Sequence, residues 1–198
     1  MTNIVKFGKF KTDEKNKNKR QIILCNTYRS KSYFLSSLKH RFNGKSNKIP
    51  NYLITRDGEI VSILPDDYCS NFFLDNDVNK NSIIICLENL GWLKKIPLEN
   101  EYYNWIGEKC SDDIFEKKWR DKIFWQNYTK VQYDSLSEIC KKLLKKFSIN
   151  KTFIGHNTKV DGIKIFNGIV CRSNYNNRFT DISPSFKFDD FKKSIEDE

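Results

Sequence analysis

Residues 82–87 read Ser-Ile-Ile-Ile-Cys-Leu. Three consecutive isoleucines leave no polar face. The run therefore suits a strand covered on both sides, as inside a sheet with helices packed on each face. Residues 21–26, QIILCN, repeat the pattern. Between them, NYLIT (51–55) and EIVSIL (59–64) flank Arg56-Asp57-Gly58, and two strand-like runs around Asp-Gly predict a hairpin. Tyr33, Phe34, Leu38 and Phe42 predict a helix over 30–42, stopped by Asn43-Gly44. Thr129-Lys130-Val131-Gln132 spells a capping box. The helix it opens places Leu136, Ile139, Cys140, Leu143, Leu144 and Phe147 on a buried stripe, with Lys141, Lys142, Lys145 and Lys146 opposite as a solvated face. Residues 151–155 (KTFIG) read as a short strand, 157–187 as mostly loop, and 186–195 as a closing helix. The fold class that follows is α/β: a mixed central β-sheet flanked by helices, in a single domain over 20–198.

The whole chain of 198 residues fits one domain. Its first 19 residues are polar and basic and are expected to form a flexible arm. No apolar run reaches the roughly 18–20 residues of a membrane span, and the N-terminus lacks the apolar core of a signal peptide. The net charge of +10 favours a polyanionic partner. A specific nucleic-acid site is not expected, because charge alone argues for it. Residues 89–128 carry all four tryptophans, and so many aromatics predict a small helical cap over the sheet, or one wall of a groove. None of the six cysteines forms a C-x-x-C pair, so they read as free thiols, most of them in the core. Only two histidines exist. His40, between Lys39 and Arg41, reads as surface, which leaves His156 for any imidazole chemistry.

His156, in FIGHN, ends a predicted strand, where α/β sheets place site residues. A histidine satisfied by hydrogen bonds is the equal alternative. Cys25 ends QIILCN and taken alone is a core cysteine; Asp181, in RFTDISPSF, taken alone is a turn or cap residue. No spacing joins the three, although thiolate, imidazole and carboxylate are all competent zinc ligands.

The order of the pieces IILCNT, PNYLITRDGEIVSILPD, NSIIICLEN, FIGHN and RFTDISPSF resembles the type-2 N-acetylmuramoyl-L-alanine amidases, a family that includes peptidoglycan recognition proteins and phage amidases. The resemblance spans roughly residues 20–190. It implies a zinc ion, Zn2+, held by Cys25, His156 and Asp181, with Cys25 standing where the family has histidine. It implies hydrolysis of the muramoyl–L-alanine amide by zinc-bound water, with Glu88 as acid/base and Arg178 stabilising the oxyanion. Glu88 also reads as a plain strand-end carboxylate paired with a lysine. The aromatic segment would offer sugar-stacking faces, with at least one tryptophan partly exposed. The implied partner is peptidoglycan, glycan plus stem peptide. A chain with no secretion signal then resembles a phage endolysin or virion-borne hydrolase, acting at the wall from the host cytoplasm or the virion. Two departures, Asn51 before the hairpin and Phe179 where many members have lysine, keep open a degenerate peptidoglycan-binding or virion structural protein of the same fold.

Overall fold

The computed structural model describes residues 4–6, 15–40, 49–70 and 72–196, with the side chains of 4–6, 39 and 40 excepted. The surface placement expected of the His40 side chain, and the Asn43-Gly44 stop, therefore lie outside the described residues. In chain order the elements are β1 (Ile4–Lys6), β2 (Gln21–Asn26), α1 (Lys31–His40), β3 (Tyr52–Ile54), β4 (Ile60–Ser62), α2 (Asn76–Asn81) and β5 (Ser82–Leu87). Then follow β6 (Trp92–Ile96), β7 (Glu101–Tyr103), β8 (Lys109–Cys110), β9 (Ile114–Trp119), β10 (Lys122–Gln126), α3 (Lys130–Phe147), β11 (Gly168–Cys171) and α4 (Phe188–Glu196). No described helix is long and apolar enough to cross a membrane.

The main sheet runs β1-β4-β3-β5-β2-β11. β2 pairs in parallel with both β5 and β11, β3 pairs in parallel with β5, and β3–β4 is the antiparallel hairpin around Asp57-Gly58. The sheet is thus mixed. Every residue of β2 and of β5 is buried, the pattern their unbroken apolar runs require. Alternation then sorts their side chains. Ile22, Leu24, Ile83, Ile85 and Leu87 pack with α3 and α4 through Leu136, Ile139, Leu143 and Phe191. Ile23, Cys25, Ile84 and Cys86 face Phe34 and Leu38 of α1. The capping box opens α3 as expected, with the Thr129 side chain accepting from the Gln132 amide and the Gln132 side chain returning to the Thr129 amide.

Three expectations are corrected. The aromatic segment is not a helical cap: residues 92–126 build a second, five-stranded sheet, β8-β7-β6-β10-β9. Within the stretch 1–19, Ile4–Lys6 pairs with β4 in the sheet, Lys15 makes an isolated bridge to Tyr68 and Lys19 is buried, so these residues are held to the main domain rather than free, while 1–3 and 7–14 lie outside the described residues. The loop expected over 157–187 contains β11, fully buried, while the strand expected over 151–155 reduces to one bridge, Phe153 to Ile169.

Candidate functional site

Parallel strands end together, and β2, β5 and β11 direct the chain that follows them to one edge of the sheet. A groove of about 470 Å3 lies there. Its walls include Asn26, Thr27, Tyr28 and Arg29 from the end of β2, Arg172 after β11, and Arg178, Phe179 and Thr180 from the late loop. Trp92 and Trp105 of the second sheet complete it. Among the described residues three arginines and no carboxylate line this surface, so it favours an anionic or acceptor-rich ligand.

The second sheet is anchored at the groove by hydrogen bonds to the Tyr28–Ser30 turn. Asn104 Nδ2 and Trp105 Nε1 both donate to the Tyr28 carbonyl, at 3.1 and 3.2 Å, and the Ser30 amide donates to Glu108. Tyr28 itself adopts a φ of 57°. Its ring lies so close to Gly91 that a Cβ there would sit 2.5 Å away; glycine is required at 91 by this approach and by its own φ of 74°. The Tyr28 hydroxyl meets Thr180 Oγ1 at 2.9 Å, and burial, with Asp181 nearby, pushes its pKa well up, so it remains a protonated phenol. Arg120, from the β9–β10 turn, donates to the carbonyls of Phe179 and Asn157 and so ties the second sheet to both late loops.

Asp181 is fully buried behind the groove. Its Oδ2 accepts from the Asn26 amide at 3.2 Å and faces Arg172 Nη1 at 3.5 Å. Arg172 lies over the Phe179 ring at 4.0 Å and near Phe72 at 5.3 Å. Burial, the largest single influence, works against its charge, but Asp181 together with Cys25, Tyr28 and Cys86 outweighs it and the guanidinium pKa is raised.

The other sequence-predicted residues are placed differently. The Cys25 side chain turns into the core, fully buried, 2.8 Å from Cys86 Sγ. Burial, and then the Cys86 contact, push its pKa well above the usual thiol range, whereas zinc takes thiolate. His156 is exposed and its Nδ1 meets the Thr158 hydroxyl at 2.9 Å. Its backbone does neighbour the site, since Asn174 donates to the His156 carbonyl and Asn157 to the Ile182 carbonyl. Among the described residues no three His, Cys, Asp or Glu side chains form a group able to hold a metal ion. The expected convergence of Cys25, His156 and Asp181 on one point is therefore corrected: core packing claims the thiol, and Arg172 claims the carboxylate. As arranged, this donor set does not fit zinc.

Glu88 is also displaced from its expected role. Its two oxygens accept from the backbone amides of Lys31, at 2.6 Å, and Arg56, at 2.8 Å. It lines a separate pocket of about 200 Å3 with Arg56 and Asp112. Glu88 thus holds the start of α1 and the hairpin turn. Arg178 does line the main groove. Sequence reasoning missed Arg172 and Arg120. Arg172 follows β11, whose four residues lie in a stretch that reads as loop, and Arg120 sits at a turn between strands whose aromatic sequence suggests a helical cap.

A cleft at the carboxyl ends of a mixed α/β sheet, walled by arginine and aromatic side chains, is a ligand-binding cleft of an α/β protein. Residues 11–168 match the N-acetylmuramoyl-L-alanine amidase family. That is most of the chain, and the chain belongs to this family. The matched stretch ends before Arg172 and Asp181. Among solved structures the fold is similar to the N-acetylmuramoyl-L-alanine amidase LysC from Clostridium intestinale URNW, with a TM-score of 0.60 at 12% identity over 99% of both chains. The endolysin amidase LysCS from the same organism gives a TM-score of 0.61 at 13% identity, over 99% of this chain and 97% of that one. The amidase AmiD from E. coli, in complex with an anhydromuramic acid–peptide substrate, gives 0.55 at 14% identity, over 94% of this chain and 60% of that one. No curated protein matches in sequence.

Proposed function

We propose that this chain acts on peptidoglycan as an N-acetylmuramoyl-L-alanine amidase, and that the 470 Å3 groove receives the muropeptide. The observation that carries the proposal is the groove itself, set at the strand ends of a chain that belongs to the amidase family. Trp105, 51% exposed, and the partly exposed Trp92 offer flat faces for sugar rings. In this reading Arg29 and Arg178 meet acceptor oxygens of the stem peptide and Arg178 stabilises charge developing on a carbonyl oxygen, which is supported by both lining the groove. The net charge of +10 suits an anionic wall. The likeness to an endolysin supports a role in phage-encoded wall lysis.

Capture without cleavage is a second reading, favoured by one specific observation: Cys25 is packed against Cys86 and Asp181 is paired with Arg172. Purified sacculi separate the two. New amino termini released from sacculi, with glycan and peptide parted at the lactyl amide, establish the amidase. Retention on sacculi with no amino termini released establishes the capture protein. Neither retention nor release defeats both.

A further inference from the structure

We propose that the Arg172 guanidinium, and not a divalent metal, is the resident cation of this groove, so that the chain takes its muropeptide without metal. The identity of the ligand rests on the reading above; the identity of the cation does not.

The first support is position. Arg172 directly follows β11, and β11 is locked beside β2 in parallel register, Cys171 opposite Leu24. Its backbone is therefore fixed at the end of the strand next to the one that carries Cys25 and Asn26. The side chain is confined as well, with Phe179 at 4.0 Å, Phe72 at 5.3 Å and Asp181 at 3.5 Å. A planar guanidinium stacked on one ring and facing a carboxylate is well suited to such a niche, and an ammonium is not.

The second support is charge. Asp181, a buried acid, has Arg172 as its counterion. A divalent ion on the same carboxylate would stand beside that guanidinium, and repulsion between the two cations in a desolvated site is severe. Nor do the other two donors bond the carboxylate: the Cys25 thiol, although within electrostatic range of Asp181, is closed against Cys86, and the His156 ring is outside with Thr158.

The third support is unspent hydrogen-bonding capacity. Asp181 Oδ1, Arg172 Nε and Asn26 Nδ2 are buried and have no hydrogen-bond partner among the described residues. Asn26 and Arg172 both line the groove. Buried polar atoms are seldom left so, and two donors on groove-lining residues, with an acceptor buried behind them, mark a place where a ligand or bound water completes the network without a metal.

The test uses the purified full chain. Zinc is titrated into the protein alone and uptake measured by calorimetry; retention on sacculi is measured with chelator and with added zinc. The proposal expects no stoichiometric zinc uptake, and retention equal to within about twofold in both conditions. Arg172→Ala should weaken retention about tenfold or more, the scale of a lost charged hydrogen bond. Arg172→Lys should restore it only in part, because the charge returns without the planar fork. Uptake of one zinc per chain, or retention lost to the chelator, overturns the proposal. If Arg172→Ala does not fold, the two wild-type arms still decide. Absence of all retention would defeat the peptidoglycan reading, while the zinc titration on the protein alone would still settle the cation.

Discussion

The two sheets of this protein are built on different principles. The six-stranded sheet has two apolar faces, each under helices or long loops, and its central strands β2 and β5 expose nothing. The five-stranded sheet has a three-residue buried nucleus, Leu90, Leu93 and Cys110, with Tyr102, Ile114 and Phe124 packed around it. Much of the rest of it is lysine, glutamate and half-buried aromatic side chain. The first sheet holds the fold and fixes where the strand ends lie. The second has a smaller apolar cluster, besides the fully buried Trp125, and it supplies Trp92 and Trp105 to the groove and clamps the Tyr28–Ser30 turn. Stability and recognition are thus carried by separate sheets.

The sharpest break of this contrast compares Leu24→Ala with Leu93→Ala. Leu24 is fully buried in the larger cluster and should cost about 3–5 kcal/mol; Leu93 should cost nearer 2 kcal/mol, because its small cluster relaxes more easily. Urea melts measure both, and equal losses would make the second sheet as much a part of the core as the first.

Glu88 sits where the two sheets meet, at the end of β5 just before the second sheet begins. Glu88→Gln should cost about 1–3 kcal/mol, since two backbone amides lose a charged acceptor. Release of amino termini from sacculi should fall only as far as the folded fraction falls. A fully stable variant with no release would instead make Glu88 the acid/base.

Trp105→Ala should invert the pattern. It should leave the melt within about 0.5 kcal/mol, as exposed positions do, yet weaken sacculus retention several-fold, about 0.5–1.5 kcal/mol of lost aromatic contact.

The smallest effect concerns acid. Asp75 caps α2 in the main domain, and Lys164, then the Val78 amide, hold its pKa below the ordinary carboxylate value. A depressed folded pKa means the stabilisation is present above the unfolded value and is lost as pH falls through the folded one. Asp75→Asn keeps a cap but loses the exposed ion pair. It should therefore be less stable by about 0.2–1 kcal/mol at pH 7, and thermal melts should show the gap closing as the pH falls below the ordinary carboxylate range. Glu101 in β7 is lowered in the same sense by Lys109 and Tyr103, so both sheets lose a little on acidification.

What was legible in the sequence follows the same division. QIILCN, SIIICL, the Asp-Gly hairpin and the Thr129 capping box are local signals backed by burial, and each became the expected element. β11, GIVC, has the same character but is only four residues long between loops, so its placement depends on pairing with β2, more than 140 residues away. The second sheet pairs strands of two to six residues with few apolar alternations, and its aromatic content masked its β character. At the site, resemblance located Asp181 and Arg178 near the groove, but side-chain direction was not legible. Which way Cys25 turns is set by its register opposite Cys86 on a sheet with two buried faces.

One feature of the second sheet reaches beyond this chain. The segment leaves and rejoins the main domain at a single neck: the Leu90 amide donates to Gln126 Oε1 at 2.6 Å, the Gln126 amide to the Gly91 carbonyl at 3.1 Å, and Asn89 Nδ2 to the Gln126 carbonyl at 3.2 Å. An excursion whose two ends are already pinned together adds little closure entropy when its length changes. The hairpins between 91 and 126 are therefore an exchangeable cassette. Their parts away from the Tyr28 clamp and the Arg120 tie can be lengthened or swapped for different loops while the strands beneath keep their register, which makes this neck the natural graft point for redirecting the groove to another polymer.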